Sequence, residues 1–252
     1  MDKYKKLILA VFSILLIIFL YSNVYNLQTS NNFANNSSVI KVLIFDGDGA
    51  MESSIHGIEE CLNESNNHNL SNQFEYSTTS VVNSTTLSGY DVLIMPGGDA
   101  SIYIDNENIN SEAIKLFVKG GKGYLGICAG AYAASNSVDG YYYGWGITTD
   151  VNTKNVNYEG IVTLTTTSFG SNVFNGSITD LHMENGPSMY SNSSQNVMAY
   201  YADNKTGYQN LAAIVGDTYG SGRIILSGPH PELEPRNSQL LAQMVRWVSA
   251  KI

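Results

Sequence analysis

Short apolar runs alternate with amphipathic stretches over about a hundred residues from Val39 onward. Runs that end at glycine or proline indicate buried strands, and apolar residues recurring every three or four positions indicate helices. The strand segments are VIKVLIFD, FEYSTTSVV, YDVLIMPGG and GYLGIC, and the helical segments are MESSIHGIEECLN, SEAIKLFVKGG and AGAYAAS. This order predicts an α/β fold with a mostly parallel open sheet and helices on both faces.

The pattern changes at Tyr141, where the chain becomes rich in aromatic residues, threonine and turns. Such a composition predicts an antiparallel β insertion over residues 141–170, followed by a strand, a hairpin and a final amphipathic helix. No second core or repeat is evident, so we expect one domain over residues 39–252. We expect the insertion's first aromatic side chains to pack in the core, with a pocket wall as the alternative: Tyr141, Tyr142, Tyr143 and Trp145.

The N-terminal segment has the pattern of a membrane anchor. Residues 1–6 are lysine-rich, residues 7–21 are an uncharged apolar run, and residues 22–38 form an Asn- and Ser-rich linker. The apolar run is intermediate in length between a signal-peptide core and a membrane span, and no small-x-small cleavage site follows it closely. We therefore expect a single-pass signal anchor in the cell membrane with the domain outside. Secretion after cleavage is the alternative.

Composition and charge narrow the classes of partner. The chain has 252 residues, is 43% hydrophobic and carries a formal charge of −9. So acidic a surface repels phosphate backbones, which argues against nucleic-acid binding. We expect a small-molecule or peptide substrate and no cofactor, and the oligomeric state is left open. We also expect no metal, because Met51 occupies the position where the calcium-loop-like start DGDGA requires glycine.

Cys128 is the first candidate for chemistry. It lies in a G-x-C-x-G array between a predicted strand and a predicted helix. A nucleophile on such a turn has a strained backbone and needs small neighbours, and the following helix favours a thiolate. Taken alone, the array is also compatible with a small core residue. A disulfide with Cys61 is disfavoured, since Cys61 is placed late on the first helix.

The segment GPHPE supplies the partners that a nucleophilic cysteine requires. His230 and Glu232 follow an apolar strand, so both are expected at the same edge of the sheet as Cys128. A base near sulfur and a carboxylate that orients the base complete such a site. Gly97 and Gly98 end another strand there, where their N–H groups suit an oxyanion hole.

Two other groups are weighed against this set. His182 and Glu184 form a second His-x-Glu pair, but no strand-to-turn context precedes them, and we favour His230 as the base. Asp48 follows the first strand and is expected in a turn or at the pocket rim.

The strings MPGGDA, YLGICAGAYAAS and LSGPHPE, in this order, resemble class I glutamine amidotransferase-like proteins, which have a flavodoxin-like fold. With ENGPSMY and VMAYYAD they are most similar to the N-terminal domain of biotin–protein ligases and its free-standing microbial relatives, over about residues 39–248. The resemblance implies Cys128 as nucleophile, His230 as base and Glu232 as its orienting carboxylate. It also implies that the amides of Gly98 and Ala129 form the oxyanion hole.

The chain departs from true glutamine amidotransferases after the cysteine, where Tyr132 lies in the region that carries a substrate-holding glutamine. Glutamine is therefore not predicted as the substrate. Gly97, Asp48, Tyr132 and Asn185 are the expected pocket residues. We expect a membrane-anchored extracytoplasmic cysteine-dependent hydrolase or amidotransferase-like enzyme acting on a C–N amide bond. The alternative is a non-catalytic module that binds a small molecule or peptide in the same pocket.

Overall fold

The computed structural model describes residues 38–68, 72–191 and 196–251. Within these ranges the chain forms helices and strands in an α/β arrangement. The helices are α1 Glu52–His68, α2 Ala100–Asp105, α3 Ser111–Lys119, α4 Ala129–Ala134, α5 Ser168–Phe174 and α6 Ser238–Ser249. The first seven strands are β1 Ser38–Phe45, β2 Asn72–Thr79, β3 Val92–Met95, β4 Gly123–Ile127, β5 Ser137–Val138, β6 Tyr142–Tyr143 and β7 Val151–Lys154. The others are β8 Glu159–Thr166, β9 Asp180–Glu184, β10 Ser188–Ser191, β11 Val197–Tyr201, β12 Ala212–Tyr219 and β13 Gly222–Ser227.

All these strands join in one sheet whose first half is parallel. The order β2-β1-β3-β4-β13 consists of parallel neighbours, and β12 then pairs antiparallel with β13. Because β4 is flanked by β3 and β13, the chain segments that follow these three strands meet at one edge of the sheet. The predicted α/β architecture, with a large mostly parallel sheet and helices, is confirmed.

Hydrophobic side chains alternate between the two faces of the parallel strands, as period-2 geometry requires. On β1, Ile40, Val42 and Ile44 belong to one buried cluster, which also contains residues of α1 and α6. Leu43 and Phe45 belong to the opposite cluster, which contains residues of α2, α3 and α4. The helices therefore cover both faces of the sheet, which explains why the parallel strands are nearly continuous apolar runs.

The antiparallel part of the sheet begins beyond β12. There β12 pairs with β10 and β11, β10 pairs with β7, and β11 continues through β8 to β9. The predicted antiparallel insertion is therefore present, although β5 and β7 pair in parallel within it. The hairpin of β5 and β6 forms the outer end of the main strand path.

The predicted membrane anchor has no counterpart in the part of the chain that the structure describes. No helix in residues 38–68, 72–191 and 196–251 is both long and apolar enough to cross a membrane. The longest of them, α1, has 17 residues and includes glutamate, asparagine and histidine, whereas a span needs about 20 mostly apolar residues. The segments 1–6, 7–21 and 22–37, on which the anchor and linker predictions depend, lie outside the described residues.

Candidate active site

Cys128 lies at a sharp turn between β4 and α4. Its backbone has φ 50° and ψ −104°, a combination that non-glycine residues rarely adopt. The turn is held by a 2.8 Å hydrogen bond from the Cys128 amide to the Ser227 carbonyl of β13. A Cβ atom added at Gly130 would lie 2.2 Å from the Met95 carbonyl oxygen, and one at Gly126 would lie 2.5 Å from the Gly130 carbonyl oxygen. Both glycines of the G-x-C-x-G array are therefore required by close backbone packing.

His230 and Glu232 form a buried pair just beyond β13. His230 Nδ1 lies 2.8 Å from Glu232 Oε1, and both side chains are 0% exposed. The His230 amide donates a 2.7 Å hydrogen bond to the His182 carbonyl, which fixes the loop against β9. The parallel pairing of β4 with β13 brings this loop to the turn that carries Cys128. The predicted set of Cys128, His230 and Glu232 is thus brought together at one edge of the sheet.

The electrostatics of His230 favour its charged form. Burial acts to lower the pKa of His230, but the Glu232 carboxylate and the neighbouring Cys128 thiol outweigh burial and raise that pKa to about 10. Among the described residues, His230 Nε2 is buried and has no hydrogen-bond partner. An imidazolium held beside a thiol can return a proton to a leaving group.

Ser54 connects this pair to the glycine loop after β3. Its hydroxyl donates a 2.6 Å hydrogen bond to Glu232 Oε1 and accepts a 3.0 Å hydrogen bond from the Gly97 amide. Ser54 is fully buried on α1. The sequence indicates only that a serine lies near the start of this helix, and no local pattern predicts a partner as distant in sequence as Glu232. This contact could not be predicted from the sequence.

The two predicted oxyanion-hole amides have no acceptor in the protein among the described residues. In the described part of the chain, the N–H groups of Gly98 and Ala129 donate to no protein acceptor. Gly97 packs against His230, since a Cβ there would lie 2.5 Å from His230 Cε1, and its amide is bound to Ser54. Gly98 has φ +151° and packs on the Gly49 carbonyl, which only glycine permits.

A cavity of about 700 Å³ opens above Cys128. Gly98, Tyr132 and Asn185 are among the residues that line it. The Tyr132 hydroxyl donates to the Asn185 carbonyl at 3.0 Å and accepts from the Val156 amide at 3.2 Å, so this side chain is fixed in the wall. Asp48 lies in a turn, one of its two expected positions, and lines a neighbouring depression of about 440 Å³ rather than this cavity.

The tyrosines of the insertion are placed differently from the expectation of core packing. Tyr142 and Tyr143 are 73% and 78% exposed and line the cavity, and Tyr141 is also exposed. Of the four aromatic residues considered, Trp145 is the one that packs in the core. The physical reason is that β6 has two residues and lies at the end of the sheet, where nothing packs over it among the described residues. The pocket-wall alternative therefore applies to Tyr142 and Tyr143.

The second His-x-Glu pair, His182 and Glu184, lies close to His230 and Glu232. The rings of His182 and His230 are 6.2 Å apart, and His182 Nε2 lies 3.8 Å from Glu184 Oε2. Cys128 Sγ donates to the Glu184 carbonyl oxygen at 3.3 Å. The second His-x-Glu thus borders the site, but the short buried contact to a carboxylate belongs to His230.

The second cysteine is separate from the site. Cys61 and Cys128 are both free thiols, so no disulfide joins them. Cys61 is fully buried on α1, and burial raises the pKa of its thiol to about 12. Within residues 38–68, 72–191 and 196–251, no three His, Cys, Asp or Glu side chains are grouped so as to hold a metal ion.

Comparisons with known proteins bear on the family and the fold. Residues 40–155 match the family model described as biotin-protein ligase, N terminal. The resemblance predicted from the sequence is therefore confirmed over this part of the chain. A search of curated proteins found no match.

Solved structures extend the likeness to most of the chain. The structure of PurLQS from Thermotoga maritima has a TM-score of 0.57 and 15% sequence identity, covering 84% of this chain and 98% of that one. A putative ThuA-like protein from Bacteroides uniformis has a TM-score of 0.56 and 16% identity, covering 84% and 92%. At such identities the likeness shows the fold alone. That fold is the glutamine amidotransferase-like fold that the sequence predicts.

The expected function must be corrected. A membrane-anchored, extracytoplasmic hydrolase or amidotransferase acting on a C–N amide bond was expected; its membrane anchoring is contradicted, because no helix among the described residues is long and apolar enough to cross a membrane. What the solved structures share with this chain is the fold class, which carries no specific reaction. The location of the protein stays a prediction, because the apolar run behind it lies outside the described residues.

Proposed function

We propose that this chain, which has the glutamine amidotransferase-like fold and resembles the biotin–protein ligase N-terminal domain over residues 40–155, is a cysteine-dependent acyl-transfer enzyme. Cys128 is its nucleophile and His230 its proton carrier. The observation that carries the proposal is the 2.8 Å contact between His230 Nδ1 and Glu232 Oε1, fully buried beside the strained turn of Cys128. A cavity used for binding alone has no need of such a pair.

In the proposed reaction the Cys128 thiolate attacks a substrate carbonyl carbon. The C–S bond forms while the carbonyl oxygen takes up negative charge near the amides of Gly98 and Ala129, which have no other acceptor in the described part of the chain. His230 then gives its proton to the leaving group as the original bond breaks. Water attacks the resulting thioester in a second step and frees the acid.

Glu232 has a supporting role in this scheme. Its carboxylate fixes the tautomer and orientation of the imidazole through Nδ1, so that Nε2 is directed to the reacting atoms. Nε2 is buried without a protein partner among the described residues, as expected of a nitrogen that exchanges a proton with a nucleophile or leaving group. The high pKa of His230, about 10, keeps a proton on the ring at neutral pH.

The proposal can be tested with 4-nitrophenyl acetate, a small activated ester. The wild-type protein should release one equivalent of 4-nitrophenolate in a burst and gain one acetyl group by intact mass, on a peptide containing Cys128. The variant Cys128→Ala should show neither. Cys61→Ala is the matched control and should acylate like wild type, since Cys61 is buried away from the cavity.

The base is tested by comparing two histidines. His230→Asn should slow acylation at least about a hundredfold, the usual contribution of acid–base catalysis. His182→Asn, the matched control whose ring lies 6.2 Å from that of His230, should slow acylation far less. Circular dichroism would confirm that both variants fold, and Glu232→Gln offers a second test. Equal and slow modification of both cysteines in the wild type would overturn the proposal and favour a binding module.

A further inference from the structure

The walls of the cavity above Cys128 are acidic. Asp99, Asp105 and Glu184 are among the residues that line it, and no lysine or arginine lines it among the described residues. Lys154, next in sequence to the lining residue Asn155, does not line the cavity itself and is paired with Asp139 at 3.8 Å. A substrate whose reacting carbonyl is bound at Cys128 must therefore place the rest of its structure in a negative field.

The three carboxylates differ in the hydrogen bonds and ion pairs that they already make within the protein. Asp99 caps α2, where its carboxylate accepts from the Ser101 hydroxyl and from backbone amides, and these hydrogen bonds hold its pKa below the usual range. Glu184 is bordered by His182 at 3.8 Å. Asp105, at the end of α2, has no hydrogen-bond or ion-pair partner among the described residues. Asp105 is thus the carboxylate most available to a ligand.

Two tyrosines also line the cavity. Tyr142 and Tyr143 are 73% and 78% exposed, although tyrosine rings are costly to leave in water. The faces of tyrosine rings attract ammonium and guanidinium groups that lie within about 6 Å. Exposed tyrosine faces and carboxylates in one cavity form an environment that stabilises an organic cation and disfavours an anion.

We propose that the substrate of this site carries a positively charged group, an ammonium or a guanidinium, held by Asp105 and Glu184 against the tyrosine pair Tyr142 and Tyr143. This inference rests on the proposed function in that Cys128 marks the reacting end of the substrate. The cavity, at about 700 Å³, has room for both the acyl group and a cationic arm. Phosphorylated or carboxylate-bearing arms are disfavoured by the same charges.

Charge selectivity is measured first with two thiol reagents that differ in the sign of their charge. Cationic [2-(trimethylammonium)ethyl] methanethiosulfonate and anionic (2-sulfonatoethyl) methanethiosulfonate react in the same way. The thiolate attacks the thio sulfur, an S–S bond forms, the bond to the sulfonyl sulfur breaks, and methanesulfinate leaves with the electron pair. The rate ratio at Cys128 is compared with the ratio in the urea-unfolded protein.

We expect the folded protein to favour the cationic reagent at least about tenfold more than the unfolded chain does, as one unit charge about 6 Å away in a partly hydrated cavity would produce. The double variant Asp105→Asn, Glu184→Gln should lose most of this preference. Glu112→Gln is the matched control, since it removes a carboxylate that does not line the cavity, and it should retain the preference. A ratio equal to that of the unfolded chain would overturn the inference.

A second experiment does not depend on the Cys128 thiol. Benzyltrimethylammonium should raise the melting temperature of Cys128→Ala, whereas benzenesulfonate at the same concentration and ionic strength should not. Tyr143→Ser should weaken the effect, and Tyr141→Ser, the matched control for an exposed tyrosine outside the cavity lining, should not. Equal effects of the two ions would overturn the cationic substrate. Cation binding together with failed acylation would instead sustain this inference and overturn the proposed function.

Discussion

The Ser54 hydroxyl lies 2.6 Å from Glu232 Oε1, across 178 positions of sequence, and links the first helix to the carboxylate that orients His230. The same hydroxyl accepts from the Gly97 amide at 3.0 Å. One buried serine thus joins the loop beside the proposed oxyanion site to the proposed proton carrier. Because its single proton is donated to Glu232, Ser54 lowers the cost of keeping that carboxylate charged away from water.

Replacing Ser54 by alanine should weaken the site without removing any group that contacts the substrate. We expect the acylation rate of Cys128 to fall about tenfold and the free energy of unfolding to fall by about 1.5–3 kcal/mol, the range for a hydrogen bond to a charged group. Stopped-flow release of 4-nitrophenolate and urea unfolding measure the two effects. Ser53→Ala is the control, because Ser53 is exposed one position earlier on the same helix.

A purely structural role for Ser54 would leave the pH profile of acylation unchanged. A positioning role predicts that the alkaline limb of the profile moves in Ser54→Ala, because the loss of this bond alters the charge balance between Glu232 and His230. An unshifted profile, with the rate loss explained by unfolding alone, would contradict the positioning role.

His230 should stay protonated well above neutral pH. Its pKa is raised above 6.5 to about 10 by Glu232 and Cys128 against the effect of burial, so protonation stabilises the folded state below pH 6.5. This stabilisation is lost as the pH rises from 6.5 through about 10. Long-range ¹⁵N–¹H spectra should show an imidazolium at pH 8 in the wild type and a neutral ring in Glu232→Gln. A wild-type ring that titrates near 6.5 would contradict the ion pair.

The strained turn at Cys128 should cost stability. Its φ of 50° with ψ of −104° is unfavourable for any residue with a Cβ. The free energy of unfolding of Cys128→Gly should therefore be about 1–2 kcal/mol larger than that of Cys128→Ala, which makes the glycine variant the more stable one. Chemical denaturation of the two variants measures the difference. The neighbouring substitution Ala129→Gly is the control and should destabilise, since Ala129 is helical. Equal stabilities at position 128 would show that the turn stores no strain.

Gly97 should not tolerate a side chain. A Cβ there would lie 2.5 Å from His230 Cε1, so Gly97→Ala should displace the imidazole and reduce acylation at least about tenfold. Gly120→Ala is a matched control, because its Cβ would meet its nearest neighbour at 3.3 Å and its φ is −76°. We expect that variant to acylate like wild type. Unchanged acylation in Gly97→Ala would show that the imidazole is not confined as described.

Much of the fold follows from local patterns in the chain. The runs ending in Phe45, Met95 and Ile127 are apolar on both faces, and such strands are stable only inside a parallel sheet covered by helices. The G-x-C-x-G array and GPHPE follow strands that the topology makes neighbours, so their meeting could be predicted before any coordinates. Each of the two patterns is local in the chain, and the order of the strands decides that they meet.

The hydrophobic pattern of the sequence did not predict where Tyr142 and Tyr143 lie. Core packing was expected for Tyr142 and Tyr143, yet they lie exposed on the cavity wall, because a two-residue strand at the end of the sheet has nothing packed over it among the described residues. Asp48 was expected in a turn or at the rim of the Cys128 cavity; it lies in a turn and lines a neighbouring depression, not that cavity. Both outcomes depend on which surfaces face each other, and that is decided only when the whole sheet is assembled.

The sequence by itself determined the order of strands and helices, the glycine-bounded cysteine and the His-x-Glu that follows the last parallel strand, since each depends on residues close together in the chain. Only the tertiary structure decided that Ser54 meets Glu232, that Gly97 lies against His230, and that carboxylates and tyrosines share the cavity of Cys128. Those contacts join residues far apart in sequence. Burial and hydrogen bonding in the assembled fold stabilise these contacts. No local pattern in the sequence encodes them.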